Sequence, residues 1–164
     1  MNAAVRPVAR LASAMSRLRV KPADPSFVDA VMADLIAIRA TPCGRALFRR
    51  LRDTCELVTI EKPDPPVDPP NAWTRLRDPA DRGAREVVIV YDPADWANPA
   101  LLAALPSDAV LFGRLADAAA MAEGGAVTVE AGDTVAPAIA IYLRDRRAAA
   151  MMPALHASTT DRRS

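Results

Sequence analysis

Glu86-Val87-Val88-Ile89-Val90-Tyr91-Asp92-Pro93 is the stretch that decides the fold class. A run of β-branched residues ending in an aromatic packs well on a pleated surface. The Asp-Pro step closes it, because proline has no N–H to extend a ladder. The pattern predicts a strand over 86–91. Upstream, Leu57–Glu61 alternates and is rich in branched residues, which predicts a second strand. The two are expected to pair across a long irregular connection. Lys62–Pro70 carries five prolines in nine residues and reads as an extended connector, with a proline-ligand role the lesser alternative. Asn71–Gly83 follows as a polar loop around Trp73 and Leu76. Trp73 and Trp96 read equally as exposed anchors or core plugs.

Outward from the strands, the periodicity changes to that of helices. Phe27, Val28, Val31, Met32, Leu35 and Ile36 form one apolar stripe, opened by Ser26 with Asp29 as an imperfect capping box. This helix is expected to end near Arg39–Ala40. Thr41-Pro42 then starts another, with threonine as N-cap and proline in the first turn, facing Ala46, Leu47 and Leu51 inward. After the 86–91 strand, Asn98-Pro99 predicts a short helix to about Ala104. Ser107 is expected to cap a longer helix over about 108–122, ended by Gly124-Gly125, with Val110, Leu111, Leu115, Ala118 and Met121 inside. Ala126–Glu130 reads as a short strand, and 136–150 as a helix with Ile139, Ile141, Tyr142 and Leu143 partly buried. The fold class is therefore α+β: a helical amino-terminal half, a short antiparallel or mixed sheet, and a central helix after it.

The ends differ from this body. Residues 1–25 are read as a basic flexible segment and a candidate secretion signal. Arg6, Arg10, Arg17, Arg19 and Lys21 precede the first acid, Asp24, and Val8, Leu11, Met15 and Leu18 have amphipathic helical spacing. Residues 26–152 are read as one domain and 153–164 as a disordered tail. With 164 residues the domain is long enough to bury a core. The hydrophobic fraction is 51%, but only 4% is aromatic and much of the rest is alanine, so that core is expected to be small and helix-rich. Twenty-one basic and 20 acidic residues leave a net charge of +1, which gives no global attraction to nucleic acid or a membrane surface. No apolar run is long enough to predict a membrane span.

Most familiar chemistry has no residues to run on. There is no phosphate-cradling glycine loop and no C-x-x-C pair. Cys43 and Cys55 read as reduced, small buried hydrophobes rather than ligands, and a cysteine nucleophile would have to find its base in the single histidine, His156. The charged run Arg144–Arg147 fits a solvated helix face better than a phosphate contact.

Three blocks, in one order over residues 27–124, resemble the NleD-like zinc metallopeptidases, a family of bacterial type III secretion effectors. The first is Phe27–Leu51, a helix followed by the Thr41-Pro42-Cys43-Gly44 turn into another. The second is Leu57–Glu61 with Val87–Pro93, two strands of which the latter ends in Asp-Pro. The third is Leu105–Gly124, matching a helix of the form V-x-L-x-H-E-L-x-H-A. Laid on that pattern, Gly113 stands at the first zinc histidine, Arg114 at the glutamate base and Asp117 at the second histidine. Leu115 and Ala118 keep the apolar positions. The resemblance implies a small zincin-like domain whose central helix once carried the active site. It implies a mitogen-activated protein kinase as target, and passage from the bacterial cytoplasm into a host cell's.

The departures fall on every chemical residue. In H-E-x-x-H, positions i and i+4 share a helical face so that two imidazoles bind one zinc, and the glutamate moves the water's proton. Glycine offers no ligand, arginine repels the metal, and one carboxylate is not a site. Arg114 and Asp117 then read as a charge pair on a solvated helix face. The expected function is that of a catalytically inactive, metallopeptidase-like secreted effector that acts by protein binding, with no catalytic residue, no metal ligand and no cofactor. Its partner would be a host or bacterial protein, a kinase by the resemblance, with no nucleic acid and no membrane span. A bound peptide is expected beside 86–91, taken as an edge strand, at Val88, Val90 and Tyr91. Two alternatives stand: an enzyme with an unrecognised site, such as a residual zinc-dependent protease, and a small adaptor or secretion-associated protein without peptidase ancestry.

Overall fold

Two helices joined without a loop build the amino-terminal half. The computed structural model describes residues 16–66, 71–78, 80, 85–96, 105–124 and 135–160. Strand β1 is Leu18–Val20, followed by α1 (Pro25–Ala40) and α2 (Pro42–Thr54). Asp24 caps α1 by accepting from Phe27 N at 2.8 Å, with Pro25 at the first turn. The cap thus lies two residues before Ser26, whose hydroxyl bonds to Asp24 instead. Thr41 caps α2 as its sequence predicts. Its Oγ1 accepts from Gly44 N at 3.0 Å and donates to Ile38 O at 2.8 Å, so one buried hydroxyl serves both helix ends. A Cβ on Gly44 would stand 1.8 Å from Ile38 O. Only glycine lets the two helices meet this closely.

The sheet holds β1, β2 (Leu57–Glu61), β3 (Trp73–Leu76) and β4 (Glu86–Val90), in the order β1-β2-β4-β3. β1, β2 and β4 are mutually parallel, and β3 runs antiparallel to β4. The sheet is therefore mixed and the domain α+β. Three expectations need correction. The basic amino-terminal segment supplies β1, so Leu18 belongs to a strand and the domain starts before residue 26. The loop expected around Trp73 and Leu76 is a strand. Strand 86–90 is interior, paired on both sides, so Val88 and Val90 do not border an edge. Tyr91, just past its end, is fully buried.

Strand alternation assigns the two faces. Val58, Ile60, Val87, Ile89 and Tyr91 join Phe27, Leu35, Ile38, Leu47, Leu111 and Leu115 in the helical core. Thr59, Val88 and Val90 point the other way and are also buried. On that side Glu61 bridges Arg75 at 3.2 Å and Lys21 at 3.6 Å. The carbon stems of such pairs cover apolar surface while their heads stay wet.

A 3₁₀ turn (Pro93–Trp96) follows β4, then α3 (Ser107–Ala122) and α4 (Val135–Thr160). α3 packs on β3, β4 and the other three helices. Ala109, Ala118 and Ala119 on α3 are fully buried, which lets this central helix approach its neighbours without large side chains. Ser107 is its first helical residue rather than its cap, and Gly124, at φ 79°, ends it in the left-handed conformation that favours glycine. α4 continues through Thr160, beyond the expected 136–150 and through most of the expected disordered tail. Its Ile141 is 48% exposed while Tyr142 is fully buried. The expected basic helix before residue 16, the short helix to Ala104, the 126–130 strand and the end of the proline connector lie outside the described residues. Among the described residues no helix is long and apolar enough to cross a membrane.

Candidate functional site

Two polar regions lie along α3. The first is the turn aligned with the zinc motif. Gly113 is buried, and Arg114 Nη1 donates to Asp117 Oδ2 at 3.1 Å across i,i+3. The side chains are only 12% and 9% exposed, so the pair is not on a solvated face. The reason is position: this turn faces the sheet, and Thr74 Oγ1 on β3 donates to Arg114 O at 3.3 Å. Burial pulls the Arg114 guanidinium below its ordinary value and pushes the Asp117 carboxyl up, while each opposite charge offsets part of that. Arg114 Nε is buried without a hydrogen-bond partner among the described residues.

Zinc does not fit this turn. Its donor set is one carboxylate already engaged by a guanidinium, and a second cation there would be repelled. Among the described residues no three histidine, cysteine, aspartate or glutamate side chains converge to hold a metal. Both cysteines are free, and burial pushes both thiols above their ordinary values. Cys55 is fully buried and Cys43 half-buried, neither activated as a nucleophile.

The second region lies at the carboxyl ends of the parallel strands, where open α/β sheets bind ligands. Its inner tier is buried. Asp34 of α1 accepts from Ser107 Oγ at 2.8 Å, and the Tyr91 hydroxyl shares its proton between Asp34 Oδ2 at 2.6 Å and Ser107 O at 2.9 Å. Next to it, Asp108 accepts from Tyr142 OH at 2.5 Å and from Arg146 Nε at 2.7 Å. Tyr142 stacks on Phe112 with ring centroids 4.6 Å apart. Burial raises the Asp34 carboxyl, and it also drives the Tyr91 and Tyr142 hydroxyls far above the ordinary phenol range. Each of these carboxylates has two protein donors. Arg146 thus docks α4 on α3, and Asp145 accepts from Cys43 N at 3.2 Å, so the 144–147 run is not simply a solvated face.

The outer tier is Lys62, which bridges Asp24 Oδ2 at 3.1 Å and Asp92 Oδ2 at 3.3 Å. Asp24 is held down to about 2 by the Ser26 hydroxyl, the Phe27 amide and Lys62. Asp95 is raised by burial and by Asp92. Lys62 lines a cavity of about 390 Å³ with Lys21, Pro22, Ala23, Pro63, Asp64 and Pro66.

Sequence reasoning passed over Asp34, Tyr91's hydroxyl, Asp108 and Lys62. The strand-end rule would have found Lys62 and Asp92 had parallel pairing been legible. Asp34, one residue before Leu35 in an apolar stripe, gave no signal. The chain matches no family model, no curated protein and no solved structure.

Proposed function

We propose that the chain is a protein-binding module with a zincin-like, NleD-like metallopeptidase shape and no hydrolytic centre, acting as a secreted bacterial effector. One observation favours this reading above the others. The helix aligned with the motif follows the last parallel strand and packs under an antiparallel edge strand, with an arginine–aspartate pair in place of the ligands. In zincin-like folds a peptide lies beside such an edge. Among the described residues the edge strand beside α3 is β3, not Val88, Val90 and Tyr91. Arg77 N donates to Glu86 O at 2.9 Å, which sets the antiparallel register. By alternation Arg75 and Trp73 bond to β4, while Thr74 and Leu76 turn their N–H and C=O groups outward. Those groups can pair with an extended segment of a partner. The partner class, a host protein such as a kinase, and the route from bacterial to host cytoplasm come from the resemblance alone.

The test has two arms. Zinc is measured on protein purified from zinc-supplemented medium, alongside casein cleavage. Far less than one zinc per chain and no cleavage are expected; stoichiometric zinc with cleavage, both lost in Asp117→Ala, would overturn the reading. Extended peptides are then selected from a random display library. Binding should survive Thr74→Val, which keeps the outward N–H, and fail in Thr74→Pro, which removes that donor without touching the β4 ladder.

A further inference from the structure

The surface between the end of α1 and the outer face of α2 gathers four arginines around one cavity of about 380 Å³. Arg39, Arg45, Arg49 and Arg52 line it with Pro42 and Phe48. Arg45, Arg49 and Arg52 stand at i, i+4 and i+7, which places them along one side of α2. Arg45, Arg49 and Arg52 are exposed. Their neutralisation is incomplete. Arg52 pairs with Asp53 at 3.2 Å, and Arg45 Nη1 donates to Ala40 O at 3.0 Å, closing the last turn of α1. Arg39 and Arg49 have no ion-pair partner among the described residues. Arg50, one position away, is instead engaged by Glu123 through both carboxylate oxygens, outside the cavity. In a chain whose net charge is +1, this is a local concentration of positive charge, unfavourable until an anion enters it.

We propose that this groove binds a phosphorylated side chain of a protein partner. Planar guanidinium forks match phosphate oxygens two at a time, so two or three arginines can satisfy one phosphomonoester. Recognition of phosphorylated motifs by arginine clusters is a recurrent solution. The cavity suits one such group with its neighbouring residues, and the exposed Pro42 offers carbon surface to the peptide. A nucleic-acid backbone or an anionic bilayer would call for a long or flat basic surface, and near-zero net charge supplies no long-range pull toward either. The groove shares no residue with β3, so it stands or falls apart from the edge-strand reading.

The experiment is an amide and arginine Nε–H NMR titration of the full chain with an alanine octapeptide carrying one central phosphoserine. Shifts confined to residues 39–53 are expected, with affinity about tenfold above that of the same peptide bearing serine. Arg49→Ala should lower it about tenfold, Arg49→Lys by less, and Arg50→Ala should leave it unchanged. Equal affinity for the serine and phosphoserine peptides would overturn the proposal. So would indifference to Arg49→Ala, or tighter binding of a DNA duplex or phosphatidylserine vesicles through the same arginines.

Discussion

The first and third turns of α3 bury charge in opposite ways. At the first turn, Asp34 and Asp108 each accept two hydrogen bonds, from Ser107 and Tyr91 and from Tyr142 and Arg146. At the third, among the described residues, Arg114 and Asp117 share one hydrogen bond and Arg114 Nε has none. A buried ion pair with so little support costs about as much desolvation as its attraction returns. A buried carboxylate met by two donors from different elements has part of its lost hydration replaced. The first turn is thus a joint between α1, β4, α3 and α4, and the third is a buried charge pair without a comparable network.

The largest effect separates the two directly. Asp117→Ala strands the buried Arg114 cation and should cost about 3–5 kcal/mol in urea unfolding. Replacing both partners, Arg114→Leu with Asp117→Leu, should recover that loss and add up to about 1–4 kcal/mol, because an apolar pair needs no hydration. If the double variant were as unstable as the single one, the pair would be a specific joint like the first turn, and the contrast would fail.

The first turn should behave the other way. Tyr91→Phe removes a donor to Asp34 and leaves the carboxylate with Ser107 alone, so a loss of about 1.5–3 kcal/mol is expected. Here the apolar substitution destabilises, where at the third turn it stabilises. A Tyr91→Phe protein with unchanged unfolding midpoint would place the hydroxyl outside the network.

The sequence showed the helices, whose apolar stripes repeat every three to four residues, and the two strands rich in branched residues. It also placed the Thr41 cap, because Thr-Pro-x-Gly carries its own geometry. β3 was hidden, since Trp-Thr-Arg-Leu is four residues long and lies between proline-rich and charged stretches that read as loop. β1 was hidden inside a basic stretch with helical spacing. For the candidate site, the resemblance drew attention to Gly113, Arg114 and Asp117 but not to their burial, which depends on a sheet packing over that turn. Asp34 and Asp108 were invisible for a related reason: an acid in a helix looks like surface until a tyrosine from another element is brought to it.

The smallest effect is a slope. Asp34 has a folded-state pKa raised above its ordinary 3.8 by burial, so the folded chain binds its proton more tightly than the unfolded chain does. Its contribution is therefore fully present below pH 3.8 and is lost as pH rises through the raised folded value. Asp24 runs the other way, its contribution being lost only as pH falls toward about 2, so it leaves the higher window undisturbed. Asp34→Asn keeps an acceptor for one donor and removes the titration. Stability of the native chain minus that of Asp34→Asn should fall as pH rises from about 4 toward neutrality, by at most about 1.4 kcal/mol per unit. Urea midpoints of both proteins across that range measure the difference. A flat or rising difference would mean that Tyr91 and Ser107 compensate the carboxylate's burial completely, and the first turn would then hold its charge at no cost at all.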